Sequence, residues 1–264
     1  MSRMSLARAW AFAASMLVAT AGMTLAADAT TPATPGPSPA VVASEAPLPE
    51  LTMAPLVTLP PITPSLIADA GLPTDGYAMG DPAAPVTIDV YADFQCPYCQ
   101  RFSLLVGPEL IERWVRTGQA RIVFRDFAFL GEESRWAAVA GRLAAEQNRF
   151  WPFHDLLYSN LLGENVGSYT PDRLMLMARM AGLDMGPFIA GLQVPAAREM
   201  WATIEQDVRD AATSRGVSAT PTVFVDGVKV ATPDAATIGA AVQAALATKG
   251  LATGAPTAPA SPLP

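Results

Sequence analysis

The sequence is short of cysteine and histidine and carries an excess of acidic side chains. It has two cysteines and one histidine among 264 residues. A framework of structural disulfides needs several cysteines dispersed along the chain, and two that stand three positions apart exclude it. The 17 basic and 24 acidic side chains give a formal net charge of −7. This balance offers no long-range attraction for nucleic acid or anionic lipid, so we predict neither as a partner.

Long apolar runs are also scarce, and the one that is present begins near the first residue. Arg3 and Arg8 precede the apolar stretch 9–27, and Thr24-Leu25-Ala26 ends it with small residues. This order is typical of an export signal, either cleaved or retained as a membrane anchor. We therefore predict a signal peptide or N-terminal anchor over 1–27 and a location outside the cytoplasm, in the periplasm or cell envelope.

Proline is concentrated in the flanks of the chain. Residues 28–65 contain ten prolines, many Ala and Thr, and three charged side chains. Such a composition cannot build a core and favours extended conformations, so it predicts a linker. Residues 250–264 repeat it as a short tail. The folded domain is expected over 66–249.

Within that domain the apolar periodicity predicts an α/β fold. We expect strands over 86–91, 120–127 and 217–225, and a hairpin at Asp226-Gly227. A helix kinked at Pro108 should run from the cysteines to about Thr117, and Asp234 should cap a last helix that ends near Lys249. Between the second and third strands, residues of about 132–215 have the period of four or five amphipathic helices.

The cysteines form the motif Cys96-Pro97-Tyr98-Cys99 at a predicted strand-to-helix junction. A helix N-terminus stabilises a thiolate, which is the nucleophile and the leaving group of disulfide exchange. Cys96 is expected to be exposed and to form the mixed disulfide, and Cys99 to be more buried and to resolve it. A zinc site would need four ligands, and His154 is the only histidine. We predict no metal and no cofactor, and we expect His154 to pack in the core rather than act as a base.

Two stretches of the sequence together resemble the DsbA-like family of thioredoxin-fold proteins. They are Asp93-Phe94-Gln95-Cys96-Pro97-Tyr98-Cys99 and Gly216-Val217-Ser218-Ala219-Thr220-Pro221-Thr222, and residues 150–157 resemble the helical insertion of that family. The resemblance covers about 75–248. It implies a thioredoxin fold with an inserted helical domain, and a cis Thr220–Pro221 bond that faces the dithiol and leaves the Thr220 backbone free to pair with an extended substrate.

The sequence departs from the family at two positions. Family members often carry a buried acid six residues before the first cysteine, where this chain has Val90; Asp89 should point to the opposite face of its strand. The strongest oxidants of the family have His in place of Tyr98, so we expect an intermediate reduction potential. Asp93 matches the family pattern and is a possible auxiliary residue, although capping of the loop explains it equally well.

These observations predict an extracytoplasmic thiol–disulfide oxidoreductase that introduces disulfides into exported proteins. The resemblance implies cysteine-containing exported substrates and a membrane partner linked to quinone, and we expect a monomer. A reductase or isomerase of the envelope remains an alternative, as does a non-catalytic scaffold that binds clients.

Overall fold

The computed structural model describes residues 71–251. The predicted signal or anchor, the predicted linker, and the tail beyond residue 251 lie outside the described residues. Within 71–251, no helix has the length and apolar character needed to cross a bilayer.

The described elements alternate between strand and helix around a long helical insertion. In chain order they are β1 (Thr74–Asp75), β2 (Ala78–Met79), β3 (Val86–Ala92), α1 (Pro97–Arg101), a π-helical segment (Phe102–Val106), α2 (Gly107–Leu110), a second π-helical segment (Ile111–Val115), β4 (Ala120–Asp126), α3 (Glu132–Glu146), α4 (Phe150–Ser159), α5 (Pro171–Met180), α6 (Met185–Leu192), α7 (Val194–Arg215), β5 (Thr222–Val225), β6 (Val228–Lys229) and α8 (Ala235–Thr248). The predicted helical block is thus five helices between β4 and β5.

A single mixed sheet of six strands organises these elements, in the order β1-β2-β4-β3-β5-β6. β3 and β4 are parallel, with Val86 opposite Ala120, and β5 is antiparallel to β3. A parallel pair needs a crossover connection, which the helical stretch 97–115 supplies. The central strand β3 is buried along almost its whole length, as expected of a strand covered on both faces. Its carboxyl end carries the cysteine motif.

The helical stretch that follows the cysteines accommodates Pro108 through a wider turn. The Gly107 amide donates to the carbonyl of Phe102, five residues earlier. Proline has no N–H and crowds the carbonyl four residues before it, so π-helical turns suit its neighbourhood. The stretch ends at Val115, and Gly118, at φ +70°, reverses the chain.

The structure corrects the predicted strand 217–225, which begins only at Thr222. Gly216 adopts a left-handed conformation and the Val217 amide returns to the carbonyl of Ala211, so the chain leaves α7 as a loop. The hairpin agrees with the prediction, since Asp226 and Gly227 both have positive φ. The short strands β1 and β2 were not predicted.

Candidate functional site

The loop between β3 and α1 is fixed by the buried side chain of Asp93. Its Oδ1 accepts hydrogen bonds from the Gln95 amide (2.8 Å) and the Ser134 hydroxyl (2.6 Å). Its Oδ2 accepts from the amides of Phe129 and Leu130 at 2.8 and 3.0 Å. A carboxylate that receives four donors is strongly held, so Asp93 joins the cysteine loop to the start of the helical insertion. The cap expected of Asp93 is one of these four bonds.

Gln95 makes a second connection to the insertion, which the sequence did not predict. Its Nε2 donates to the Ser134 hydroxyl at 2.9 Å, and its Oε1 accepts from the amide of Asn165 at 2.6 Å. Gln95 is fully buried. The sequence could not reveal this connection, because the partners of Gln95 lie 39 and 70 residues away along the chain. The only indication was that a glutamine stands directly before Cys96.

The two cysteines are hydrogen-bonded to each other, and both are buried. Cys96 has 5% of its surface exposed and Cys99 has 1%. The expectation that Cys96 is exposed is therefore wrong, although it is the more accessible of the two. The cause is the loop before β5, where the carbonyl oxygen of Thr220 lies 3.4 Å from the Cys96 Sγ. The bond between Thr220 and Pro221 is cis, as the resemblance implied.

The environment of the dithiol separates the acidities of its two thiols. A hydrogen bond from the Cys99 thiol, with weaker help from Thr220 and from the amides of Cys99 and Tyr98, lowers the pKa of Cys96 from 9 to about 6, against the effect of burial. Burial, reinforced by the neighbouring Cys96 thiolate, raises the pKa of Cys99 well above 9. At neutral pH the dithiol is thus poised as a Cys96 thiolate next to a Cys99 thiol.

A groove beside the dithiol could take an extended chain. Its volume is about 490 Å³, and its lining comprises Tyr98, Arg101, Phe102, Val106, Thr220, Pro221, Pro233 and Asp234. Tyr98 is 73% exposed at its edge. Thr220 therefore lines the groove and also places its carbonyl oxygen beside the Cys96 sulfur.

The acidic side chain on β3 faces away from the thiols, as expected. Asp89 is paired with Arg125 at 2.8 Å and lies 3.6 Å from Arg215. Val90 lines a cavity that Cys99 also lines. The strand therefore offers Cys99 no carboxylate.

His154 is buried, as predicted for a packing residue. Its ring lies within 6 Å of the ring centres of Phe94, Phe124 and Tyr158. It also makes a polar contact that was not expected, since its Nδ1 lies 2.9 Å from the Oδ1 of Asp155. Over residues 71–251, no cluster of three or more His, Cys, Asp or Glu side chains could hold a metal ion.

The amino-acid sequence is similar to a known family and to several characterised proteins. The Thioredoxin family model matches residues 73–244. The probable disulfide bond formation protein D of Bacillus cereus is 29% identical over 161 residues, which cover 60% of this chain and 72% of that protein. The Na⁺/H⁺ antiporter NhaA 3 of Salinispora tropica is 36% identical over 166 residues, which cover 61% of this chain but only 24% of the antiporter. The chain thus spans about a quarter of the antiporter.

Two solved structures share the fold. Oxidised BdbD of Bacillus subtilis has a TM-score of 0.59 at 24% identity, covering 66% of this chain and 94% of that one. The α-DsbA1 protein of Wolbachia pipientis has a TM-score of 0.57 at 20% identity, covering 67% and 94%. These likenesses confirm the predicted α/β class, a DsbA-like thioredoxin fold with an inserted helical domain.

Proposed function

The chain belongs to the thioredoxin family and is a thiol–disulfide oxidoreductase, and we propose that it introduces disulfides into exported proteins outside the cytoplasm through Cys96 and Cys99. The observation that carries this proposal is the position of Cys96 at the N-cap of α1 beside the Cys99 thiol, an environment that lowers the pKa of Cys96 to about 6. A sulfur that is stable as a thiolate is a good leaving group and favours the reduced form of its own disulfide. The Cys96–Cys99 disulfide therefore tends to be transferred to the thiols of a substrate.

The exchange proceeds in two steps that balance in atoms and electrons. A substrate thiolate attacks the Cys96 Sγ of the Cys96–Cys99 disulfide; a mixed disulfide forms, and Cys99 leaves and takes up a proton. A second substrate thiolate then attacks the substrate sulfur of the mixed disulfide, and Cys96 leaves as a thiolate. The substrate loses two electrons, which remain on the enzyme as the dithiol.

The groove beside Cys96 supports an extended polypeptide as the substrate. The carbonyl of Thr220 lies at the sulfur, and the exposed ring of Tyr98 borders the groove. Main-chain pairing with Thr220 would hold a client regardless of its sequence. Exported proteins with cysteines are therefore the proposed substrates, and Thr220 and Pro221 the proposed binding residues.

Each turnover leaves a dithiol that must be reoxidised. The resemblance implies a membrane partner that transfers the electrons to quinone, and the predicted export signal or anchor over 1–27 supports a location outside the cytoplasm where the enzyme could meet it. We propose that the enzyme acts as a monomer. The antiporter relative does not extend the proposal to ion transport, because the chain covers only 24% of it.

The reduction potential of the Cys96–Cys99 pair tests the proposed direction. The protein is equilibrated in glutathione buffers, and its free thiols are trapped and counted by mass. We expect a potential between about −120 and −180 mV, which marks an oxidant or isomerase, and oxidation of a reduced, unfolded client protein. A potential near about −270 mV would instead indicate a reductase.

The Cys96→Ser variant separates these enzymes from a scaffold. It should lose client oxidation completely, whereas a client-binding scaffold would retain its function without the thiol. Cys99→Ser is the matched variant, because it should trap the mixed disulfide between Cys96 and the client.

A further inference from the structure

A second cavity, of about 440 Å³, is lined by the resolving cysteine, Cys99. Its walls are β3, β4, the helical stretch after the cysteines, α4 and the segment that contains Leu72, Thr74 and Met79. Cys99, Val90 and His154 line it, together with Asn148 and Arg149, which are exposed. The cavity therefore connects the buried sulfur of Cys99 with the solvent around Asn148 and Arg149.

Two polar atoms of the cavity lining are buried without a hydrogen-bond partner among the described residues. They are the Oγ of Ser103 and the Nε1 of Trp151. Buried polar atoms are normally satisfied by protein or by water, and the space beside these two atoms is large enough for water molecules. Although most of the lining is apolar, these two atoms and the exposed residues Asn148 and Arg149 provide polar partners for water molecules that enter the cavity.

His154 and Asp155 form an ordered pair on α4 at this cavity. The Asp155 carboxylate accepts from Nδ1 at 2.9 Å, which holds the ring proton on that nitrogen. Nε2, the other ring nitrogen, is then a free acceptor, and it has no partner among residues 71–251. A histidine oriented by a carboxylate in this way is suited to receive and return a proton.

Cys99 needs such a group, because its charge changes in every exchange. Burial holds it in the thiol form, so it must gain a proton when it leaves the disulfide and lose one when it attacks. The strand face nearest to it has Val90 where the resembled family often has an acid. The carboxylate of Asp93 is occupied by four hydrogen bonds on the other side of the loop.

We propose that His154, positioned by Asp155, exchanges protons with Cys99 through water in this cavity. The inference rests on the proposed function. During oxidation of a client, the Cys96–Cys99 bond breaks, the Nε2 of His154 takes a proton from solvent and passes it through water to the Cys99 thiolate, and the ring returns to its neutral form. In the reverse step, the Cys99 thiol gives its proton to Nε2, the thiolate attacks Cys96, and the departing thiolate takes a proton from solvent.

Other titratable groups face the same space. Tyr158, on α4, lines the cavity and donates its hydroxyl to the carbonyl of Asp93, so it is engaged as a donor. Arg149 carries a fixed positive charge at the exposed side. The thiolate of Cys96 is the nearest titrating neighbour of Cys99. The pH dependence of the resolution rate therefore includes a contribution from Cys96. The titration of Cys96 is measured separately so that this contribution can be subtracted.

The test compares His154→Phe with His154→Ala. Phenylalanine fills the aromatic site without a proton acceptor, and alanine leaves a space that free imidazole can enter. Reduced protein is mixed with oxidised glutathione, quenched with acid, and the Cys96–glutathione mixed disulfide is measured by mass over pH 5 to 9. We expect both variants to accumulate it, with resolution by Cys99 slowed about tenfold or more.

Three further readouts separate proton transfer from a structural effect. Added imidazole should restore resolution in His154→Ala and not in His154→Phe. Asp155→Asn should slow resolution and shift its pH profile. Alkylation of Cys96 by iodoacetamide should be unchanged in every variant, because Cys99 keeps its proton throughout that reaction.

An unchanged resolution rate and pH profile in His154→Phe would overturn the inference. So would a slow His154→Ala that imidazole does not rescue and whose reduction potential has shifted, since that result indicates damage to the fold. If the wild-type protein forms no mixed disulfide at all, the proposed function itself fails, and the two failures are thus distinguished.

Discussion

Ser134 donates a 2.6 Å hydrogen bond to the Oδ1 of Asp93 across 41 residues of chain. One residue lies three positions before Cys96, and the other lies in the first turn of the helical insertion. The bond is one of four that this carboxylate accepts, so the insertion and the cysteine loop share a single buried anion.

Asp93→Asn should destabilise the protein because it replaces one accepting oxygen by an NH₂ group. That group would face the N–H or O–H donors that now bind the carboxylate. We expect a loss of about 3 kcal/mol in the free energy of unfolding, measured by denaturant titration. Ser134→Ala removes one donor and leaves the charge in place, so it should cost about 1 to 2 kcal/mol. Equal costs for the two variants would contradict the central position of the carboxylate.

The Cys99 thiol is the main cause of the low pKa of Cys96, and two substitutions test this. Cys99→Ser keeps a hydrogen-bond donor and should leave the pKa of Cys96 close to its present value of about 6. Cys99→Ala removes the donor, and the pKa should rise toward 9. The measurement is the rate of iodoacetamide alkylation against pH. A low pKa in the alanine variant would assign the effect to the backbone amides and Thr220 instead.

Tyr98→His should make the enzyme a stronger oxidant. Tyr98 is 73% exposed, so a histidine fits there without repacking, and its imidazolium would stabilise the neighbouring thiolate. We expect a lower pKa of Cys96 and a potential more positive by roughly 30 mV for each 1.4 kcal/mol gained. Tyr98→Phe introduces no charge and is the control; a shift of equal size in that variant would rule out the electrostatic explanation.

Asp126 should make the stability of the protein depend on mildly acidic pH. Burial, only partly opposed by Arg142, raises its pKa from 3.8 to about 6, so between these values the folded protein binds more protons than the unfolded chain. Stability should therefore fall as the pH rises from about 4 to 6, by about 2 to 3 kcal/mol. Asp126→Asn should abolish this fall in denaturant titrations. Asp207→Asn, which removes the exposed partner of the same Arg142, should retain it.

Gly80 and Gly118 both have positive φ, but only Gly80 is enclosed. A Cβ at Gly80 would lie 2.7 Å from the Cγ1 of Val115 and 3.2 Å from the carbonyl oxygen of Ala120. At Gly118, no atom of residues 71–251 beyond the two chain neighbours would lie within 4 Å of an added Cβ. We expect Gly118→Ala to cost about 1 kcal/mol and Gly80→Ala about 3 kcal/mol in unfolding free energy. Similar losses in the two variants would mean that the positive φ, and not the enclosure of the site, determines the cost of the substitution.

The parts of the site that the sequence predicted are those defined by short-range signals. The strand before Cys96, the positive φ pair at Asp226 and Gly227, and the cap at Asp234 each depend on residues a few positions apart. The position of the Thr220–Pro221 loop over the dithiol came from the resemblance, since nothing local to either motif brings them together.

What could not be predicted depends on contacts between distant residues. The strands β1 and β2 have two residues each, too few to show a period, and β2 exists because it pairs with β4. The burial of Cys96 depends on Thr220, 124 residues away, and the bonds of Gln95 depend on Ser134 and Asn165. The predicted start of the third strand at Val217 was wrong because Val217, although apolar and buried, belongs to a loop.

The 5% exposure of Cys96 limits when a client can be oxidised. To attack Cys96, the sulfur of a client must approach along the axis of the Cys96–Cys99 bond. It must therefore pass Thr220 on an extended segment that fits in the groove. A cysteine inside a finished domain carries too much bulk to do so, while the same cysteine on a nascent segment fits. We expect the enzyme to oxidise cysteines on extended segments in preference to the same cysteines in folded domains, so that the order in which the segments of a client fold influences which of its cysteines are paired first.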